Sequence, residues 1–196
     1  PHAYAGRPVV VSGALDSWPA LLSVDYEFLR RMYASVRGNM TVGEDGCQFL
    51  AFRSELESLE QLMQQRRGAQ RADSSWYIGW SNCDPRVAAM LRGLYSWPDF
   101  LPADGEGSAI DWIFMGTPGR GTAVHIDNVH RPSWQAQIRG SKRWRLHPPP
   151  ECEHVCRPFT VDVRRGQMFL LDTNQWYHGT EVIGDEMSIT IGSEYD

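Results

Sequence analysis

Apolar positions 28, 29, 32, 33 and 36 recur with helical spacing, which predicts a helix over 26–36 with Ser23 or Asp25 as its N-cap and Gly38 as its stop. Leu56, Leu59, Leu62 and Met63 repeat the pattern, with Ser54 and Glu57 as a capping box and Gly68 as terminator. Arg66, Arg67 and Arg71 then read as the polar end of that helix, well placed for its negative dipole end. Asp84-Pro85 supplies a cap and first turn for a third helix running through Val87, Met90 and Leu91 to Gly93. Between these lie strand-like stretches at 7–11, 47–53 and 76–80, the first broken by Ser12-Gly13-Ala14 and Trp18-Pro19. Pro98, Pro102, Gly105 and Gly107 mark a loop.

After Ser108 the texture changes. Strand-like segments at 110–115, 122–127, 133–139, 142–147, 159–163, 167–171 and 187–192 alternate with Gly, Pro, Asp and Asn, the rhythm of a closed or doubled β structure. The expected organisation is one domain over 1–196, a helix-and-strand preface over 1–107 laid on a β-rich core over 108–196. A length of 196 residues with 42% hydrophobic and 11% aromatic content suits a single substantial core.

Nineteen basic against 24 acidic residues give a net charge of −5, which argues against a nucleic-acid binder held by backbone charge. No apolar run is long enough for a membrane span. The chain opens on Pro1 rather than Met, which reads as a fragment or a processed product. Cysteines at 47, 83, 152 and 156 are too few for a disulfide scaffold. A Cys47–Cys83 pair in an oxidising lumen is left open. Cys152 and Cys156 read as a local disulfide or as reduced thiols, because Cys152-x-His154-x-Cys156 lacks the two-residue gap of a zinc site. Asn39-Met40-Thr41 is a glycosylation sequon that matters only in the secretory pathway, so cytoplasm or nucleus and secretory lumen both stand.

His125-Ile126-Asp127 is the densest chemical signal. In a strand, 125 and 127 project from one face, so an imidazole and a carboxylate approach one ion together. His178, beyond the apolar run 167–171, can supply a third ligand if the sheet closes. Two histidines and a carboxylate make the facial set that leaves octahedral iron three open positions. Zinc hydrolysis is the chemical competitor, since zinc accepts the same donors. Gly140-Ser141 reads as a turn, after which Lys142, Trp144 and Leu146 share one strand face and Arg143 and Arg145 the other. Lys142 either snorkels from the strand end or, buried, needs an anion such as the far carboxylate of an organic acid. Thr122, Thr190 and Tyr77 could complete a hydroxyl-and-ammonium clamp on that carboxylate.

Residues 112–127 (Trp112-Ile113-Phe114-Met115-Gly116-Thr117-Pro118 through His125-Ile126-Asp127), followed by Gly140-Ser141-Lys142-Arg143-Trp144, strongly resemble the JmjC oxygenases, cupin-fold enzymes dependent on iron and 2-oxoglutarate. The motifs are closest to the phosphatidylserine-receptor-like lysyl hydroxylase subgroup. Residues 7–18, Gly43-Glu44-Asp45 and Trp76-Tyr77-Ile78 extend the likeness over most of the chain. The resemblance implies a double-stranded β-helix (jelly roll, cupin), mainly β with N-terminal α/β elements. It makes His125, Asp127 and His178 the ligands of Fe(II), with 2-oxoglutarate and O₂ as cosubstrates. Tyr77, Thr122 and Lys142 become contacts to the distal carboxylate of 2-oxoglutarate, and Thr190 matches a position lining the same pocket. Gln135 stands where the subgroup has an asparagine near the cosubstrate. Trp134 and Trp144 are candidates for keeping water from the oxidant.

Departures from the pattern are Arg131-Pro132 and the extra His130 after the first two ligands, Trp176-Tyr177 before the distal histidine, and the absence of net positive charge. The implied activity is hydroxylation of a protein or peptide side chain, coupled to conversion of 2-oxoglutarate to succinate. The alternatives are N-methyl demethylation, hydroxylation of a small molecule or nucleoside, and a cupin-like binding module without turnover. A monomer is the default expectation for these 196 residues.

Overall fold

The computed structural model describes residues 6–35, 47–52, 54–64 and 75–196. Its strands are β1 (Val9–Ser12), β2 (Phe49–Phe52), β3 (Tyr77–Asn82), β4 (Asp111–Gly116), β5 (Ser133–Arg139), β6 (Ser141–His147), β7 (Phe159–Arg164), β8 (Gln167–Leu171), β9 (Tyr177–Ile183) and β10 (Ser188–Glu194). They form a seven-stranded sheet in the order β1-β8-β5-β10-β4-β3-β2 and a three-stranded sheet in the order β7-β6-β9. Every pairing is antiparallel, and the two sheets make the mainly β jelly roll that the sequence implies. The strands of the preface, β1 to β3, sit in the same large sheet as β4, β5, β8 and β10.

Among the described residues, four α-helices accompany the large sheet: α1 (Ala20–Ser23), α2 (Tyr26–Ser35), α3 (Leu59–Gln64) and α4 (Pro85–Arg92). Asp25 accepts the Phe28 N–H and so caps α2. Asp84 accepts from the Arg86 and Val87 N–H groups at the start of α4, and Gly93 closes it, as expected. The third helix begins later than the pattern predicts. Ser54 Oγ is taken by the Leu56 N–H in a local turn, and Ser58 caps the helix instead by accepting from the Gln61 N–H. Leu29, Leu62, Val87 and Leu91 pack with Ile78, Ile113, Ile138 and Ile191 in the main core, on the helix side of the large sheet. A second cluster, Trp144, Leu146, Val163, Phe169, Leu171 and Trp176, fills the space between the sheets. Val36, Gly38, the sequon at 39–41, Gly43-Glu44-Asp45, Arg53, Arg66, Arg67, Gly68 and Arg71 lie outside the described residues.

Two strand expectations change. The segment expected as a strand over 122–127 is an irregular edge lying along β9. Gly119 and Val182, Val182 and Arg120, and Thr180 and Thr122 are joined by main-chain hydrogen bonds, and His125 and His178 form a bridge. The threonine hydroxyls of 122 and 180 take up main-chain N–H groups that a regular ladder would use. The second change is β9 itself, which the apolar pattern does not announce because Gly179 interrupts it. The close pairing leaves little room for a side chain there, since a Cβ would lie 3.1 Å from the Val124 nitrogen. Cys47 and Cys83 are joined by a disulfide, tying the entry of β2 to the exit of β3, while Cys152 and Cys156 are free thiols. No helix among the described residues is long and apolar enough to cross a membrane.

Candidate functional site

His125 and His178 face each other across the edge-strand bridge. Each N–H donates to the other's carbonyl, at 3.0 and 2.8 Å, and the ring centroids are 4.3 Å apart. Each ring also sets its Nδ1 against the carbonyl two residues back, Ala123 at 2.9 Å and Trp176 at 3.0 Å. A carbonyl only accepts, so both Nδ1 atoms carry the proton and both Nε2 atoms keep a lone pair. The two Nε2 atoms converge on one carboxylate, at 3.4 Å from Asp127 Oδ1 and 3.6 Å from Oδ2. Adjacent ligands of an octahedral ion with bonds of ~2.1 Å stand ~3 Å apart, so the three side chains are near enough to close on one ion. These three are the one group of at least three metal-ligating side chains whose donor atoms gather within 4.8 Å among the described residues.

The electrostatics fit ligands that share a charge. Burial pushes the Asp127 carboxyl up, but a hydrogen bond from His125, donated from Nε2 when that ring is protonated, and the charge of the two imidazoles outweigh it and hold the group below its usual value. The same hydrogen bond raises His125, whereas burial lowers the deeper His178. The Asp127 N–H donates to the Thr173 carbonyl at 2.9 Å. Asn174 then pins the loop that follows: its Oδ1 accepts from the Val129 and His130 N–H groups at 2.7 and 2.9 Å, and its Nδ2 donates to the Arg131 carbonyl. His130 is exposed, has φ 64° and stays outside the ligand cluster. Sequence reasoning passed over Asn174, whose only signal was an amide in the turn before β9.

The three ligands stand at one end of a cavity of about 340 Å³ between the two sheets. Its walls come from alternate residues of paired strands. Gln48, Leu50 and Phe52 flank Tyr77, and Trp112 and Phe114 lie beyond. Two glycines admit the rings: a Cβ on Gly79 would strike the Phe114 ring, and one on Gly116 the Tyr77 ring. On β9, His178, Thr180 and Val182 lie opposite Leu146, Trp144 and Lys142 of β6. The inner row thus runs from the ligands to an ammonium group.

Lys142 is fully buried, so of the two readings of this residue the snorkelling one falls. Its Nζ has no hydrogen-bond partner among the described residues and lies 5.4 Å from the centres of the Tyr77 and Phe114 rings and 5.6 Å from that of Trp144, all three lining the cavity. Burial pushes its pKa down to about 7. Of the three hydroxyl residues expected, Tyr77 and Thr122 line the cavity. Thr122 Oγ1 and Thr180 Oγ1 are 3.1 Å apart, and the buried Tyr77 hydroxyl bonds to Thr180. Thr180, absent from the expected set, is the hub of this trio because it sits on the unforeseen strand. A buried cation without an anion among the described residues, behind a cavity wall that carries the Tyr77, Thr122 and Thr180 hydroxyls, fits the remote carboxylate of a diacid whose other end reaches the ligand cluster.

Gln135 lines the cavity, and its buried Oε1 has no partner among the described residues. Thr190 faces inward but one row deeper, where its Oγ1 donates to Gln137 Oε1 at 3.2 Å; it is not among the lining residues. Trp144 packs 5.8 Å from the His178 ring and closes the inner wall. Trp134 touches the cavity too, though its ring stacks edge-on into the outer core against Trp18 and Tyr95.

A family model described as a cupin-like domain matches residues 2–169. The chain is 27% identical over 189 residues to the arginine-specific demethylase JMJ22 of Arabidopsis thaliana, covering 87% of this chain and 34% of that protein. It is 30% identical over 159 residues to the bifunctional arginine demethylase and lysyl-hydroxylase psr-1 of Caenorhabditis elegans, covering 77% of this chain and 38% of that one. The chain therefore spans little more than a third of the length of these relatives. Among solved structures, the ribosomal oxygenase YcfD of Escherichia coli superposes with a TM-score of 0.55 at 15% identity, over 96% of this chain and 48% of that one, a likeness of fold.

Proposed function

Because the chain belongs to the cupin-like domain family, in its JmjC branch, we propose that it is an Fe(II)- and 2-oxoglutarate-dependent oxygenase that hydroxylates a protein side chain. The observation that carries this reading is a His-Asp-His cluster on a cavity whose inner wall, Tyr77, Phe114 and Trp144, is backed by a buried ammonium with no hydrogen-bond partner among the described residues. A zinc hydrolase has no use for Lys142. A binding module without turnover has no need to keep both imidazoles in the metal-ready tautomer.

When bound, iron, 2-oxoglutarate and O₂ supply an oxidant and release succinate and CO₂. The chain's own part is placement. His125 and His178 present Nε2, held by their Nδ1–H bonds to Ala123 and Trp176, and Asp127 offsets part of the metal's charge. Lys142 takes the far carboxylate of the diacid, with the hydroxyls of Thr122, Thr180 and Tyr77 around it, and this favours a dicarboxylate over a monoacid. Phe114 and Trp144 keep water from the inner end.

The names of the relatives cover both lysyl hydroxylation and arginine demethylation, and one measurement separates them. A hydroxylated carbon adds one oxygen to the substrate mass, whereas oxidation of an N-methyl group ends in its loss as formaldehyde. Under air with Fe(II) and 2-oxoglutarate, the wild type should form succinate and Asp127→Ala should not. Equal succinate from both proteins would refute the ligand assignment.

A further inference from the structure

The mouth of the cavity carries a charge pattern that neither the ligand cluster nor the Lys142 end explains. Along β10, Ile191 belongs to the outer core, so Gly192 and Glu194 alternate toward the cavity. Gly192 lies between Trp112 of β4 and Gln135 of β5, and its missing side chain leaves the wall open there. Glu194 stands one step nearer the strand end, opposite Ser133, half-buried in the lining. Among the described residues it is, apart from Asp127, the one carboxylate lining the cavity, and no lysine or arginine lines it.

Its carboxylate has no ion-pair or hydrogen-bond partner among the described residues. Arg131, the cation of the loop after Asp127, is engaged instead by Glu106 and Asp196 at 3.5 and 3.6 Å. On the neighbouring strand β4, Trp112, paired with Gly192, stacks on Phe114 with centroids 5.9 Å apart and planes 12° from parallel, and Leu50, Ile126 and Val129 add exposed apolar surface. An unpaired carboxylate beside two aromatic faces and an aliphatic rim is the complement of a cation on an alkyl stem.

Resting on the oxygenase reading above, we infer that Glu194 is a specificity-determining residue that receives the positive charge of a basic side chain, ammonium or guanidinium. The Trp112–Phe114 pair receives the stem. A neutral side chain of the same length leaves Glu194 desolvated and unpaired, and an acidic one meets it as a like charge.

The test is equilibrium binding, which needs no turnover. Fluorescently labelled glycine-serine peptides carrying one central lysine, arginine, norleucine or citrulline are titrated under argon into the protein loaded with Fe(II) and 2-oxoglutarate, and into the metal-free protein. At least one basic peptide should bind about tenfold or more tightly than its neutral counterpart, the discrimination a charge-assisted contact supplies. Glu194→Gln should bring that ratio to within about twofold, Glu194→Asp should keep part of it, and thermal melts show that each variant is folded. Equal binding of basic and neutral peptides by the wild type, no binding of either, or an undiminished ratio in Glu194→Gln overturns the inference. Succinate formation is scored separately, so a charge preference without succinate defeats the oxygenase reading alone, and succinate without a charge preference defeats this one alone.

Discussion

Replacing Lys142 by Met removes the one buried ammonium of the inner wall and leaves a side chain of similar length among Tyr77, Phe114 and Trp144. In the unfolded chain this lysine titrates near its ordinary value of 10.5, and in the fold burial brings it to about 7. Between those values the unfolded state binds more protons than the folded one, so stability without ligand rises with pH across that window and the penalty is full below it. At 1.36 kcal/mol per unit, the penalty is about 4 kcal/mol at pH 7 and about 1.5 kcal/mol at pH 9.5. The change of shape takes about 1 kcal/mol off the gain. Lys142→Met should therefore be about 3 kcal/mol more stable than the wild type at pH 7, with almost no advantage at pH 9.5.

A dicarboxylate reverses the comparison. Urea unfolding with 2-oxoglutarate and Mn(II), at about a hundred times the dissociation constant, should add about 2.7 kcal/mol to the wild type. The variant, lacking the cation, should gain little beyond what Mn(II) alone gives. A variant less stable than the wild type at pH 7 without ligand would show that the ammonium is already paired. Equal stabilisation of both proteins by 2-oxoglutarate would show that the diacid does not reach Lys142.

Gly121→Ala places a Cβ against the Thr180 carbonyl, so it should wedge the edge segment away from β9, separate the two imidazoles and weaken Fe(II) or Mn(II) affinity at least about tenfold; calorimetric titration of the metal reads this, and unchanged affinity would mean that the bridge does not set the site. Asn174→Ala strips the loop after Asp127 of two accepted N–H bonds and a donated one, costing about 1–3 kcal/mol in urea unfolding; hydrogen exchange at Val129 and His130 should speed up, and unchanged protection would refute the pinning. Reducing the Cys47–Cys83 bridge, which closes a separation of 36 residues, should lower stability by about 3–4 kcal/mol; melting with and without dithiothreitol checks it, with Cys47→Ser/Cys83→Ser expected to match the reduced protein and to be insensitive to the reagent.

What could be read from the sequence divides along a physical line. The alternation of β6 placed Lys142 beside Trp144 and Leu146 because period-two patterning depends only on the strand itself. The helix caps at Asp25 and Asp84 were legible for the same reason, being contacts between residues two or three apart. The third cap was misplaced because Ser54 and Ser58 offer the same hydroxyl, and only the competing Leu56 turn decides between them. His125, Asp127 and His178 do gather, though not through the shared strand face that their spacing suggests. Asp127 and His125 do not share a strand face; His125 is held by its bridge to His178, and Asp127 by Thr173 beyond it.

The residues that escaped depend on pairings the pattern does not encode. β9 carries His178 and Thr180 at two of its three inward positions, where alternation would show apolar side chains, with Gly179 between them, so it gave no signal, and Thr180 was lost with it. Yet that polarity is what the site uses. Thr180 must face the cavity and bond both Thr122 and Tyr77, and Gly179 must let the edge segment come close. Thr190 shows the converse: the resemblance puts it on the pocket wall, but Gln137 on the neighbouring strand takes its hydroxyl one row deeper. A strand that departs from its own hydrophobic period inside a sandwich is thus where a functional cavity is most expected, since a lining that must hold an ion and a diacid cannot also be apolar.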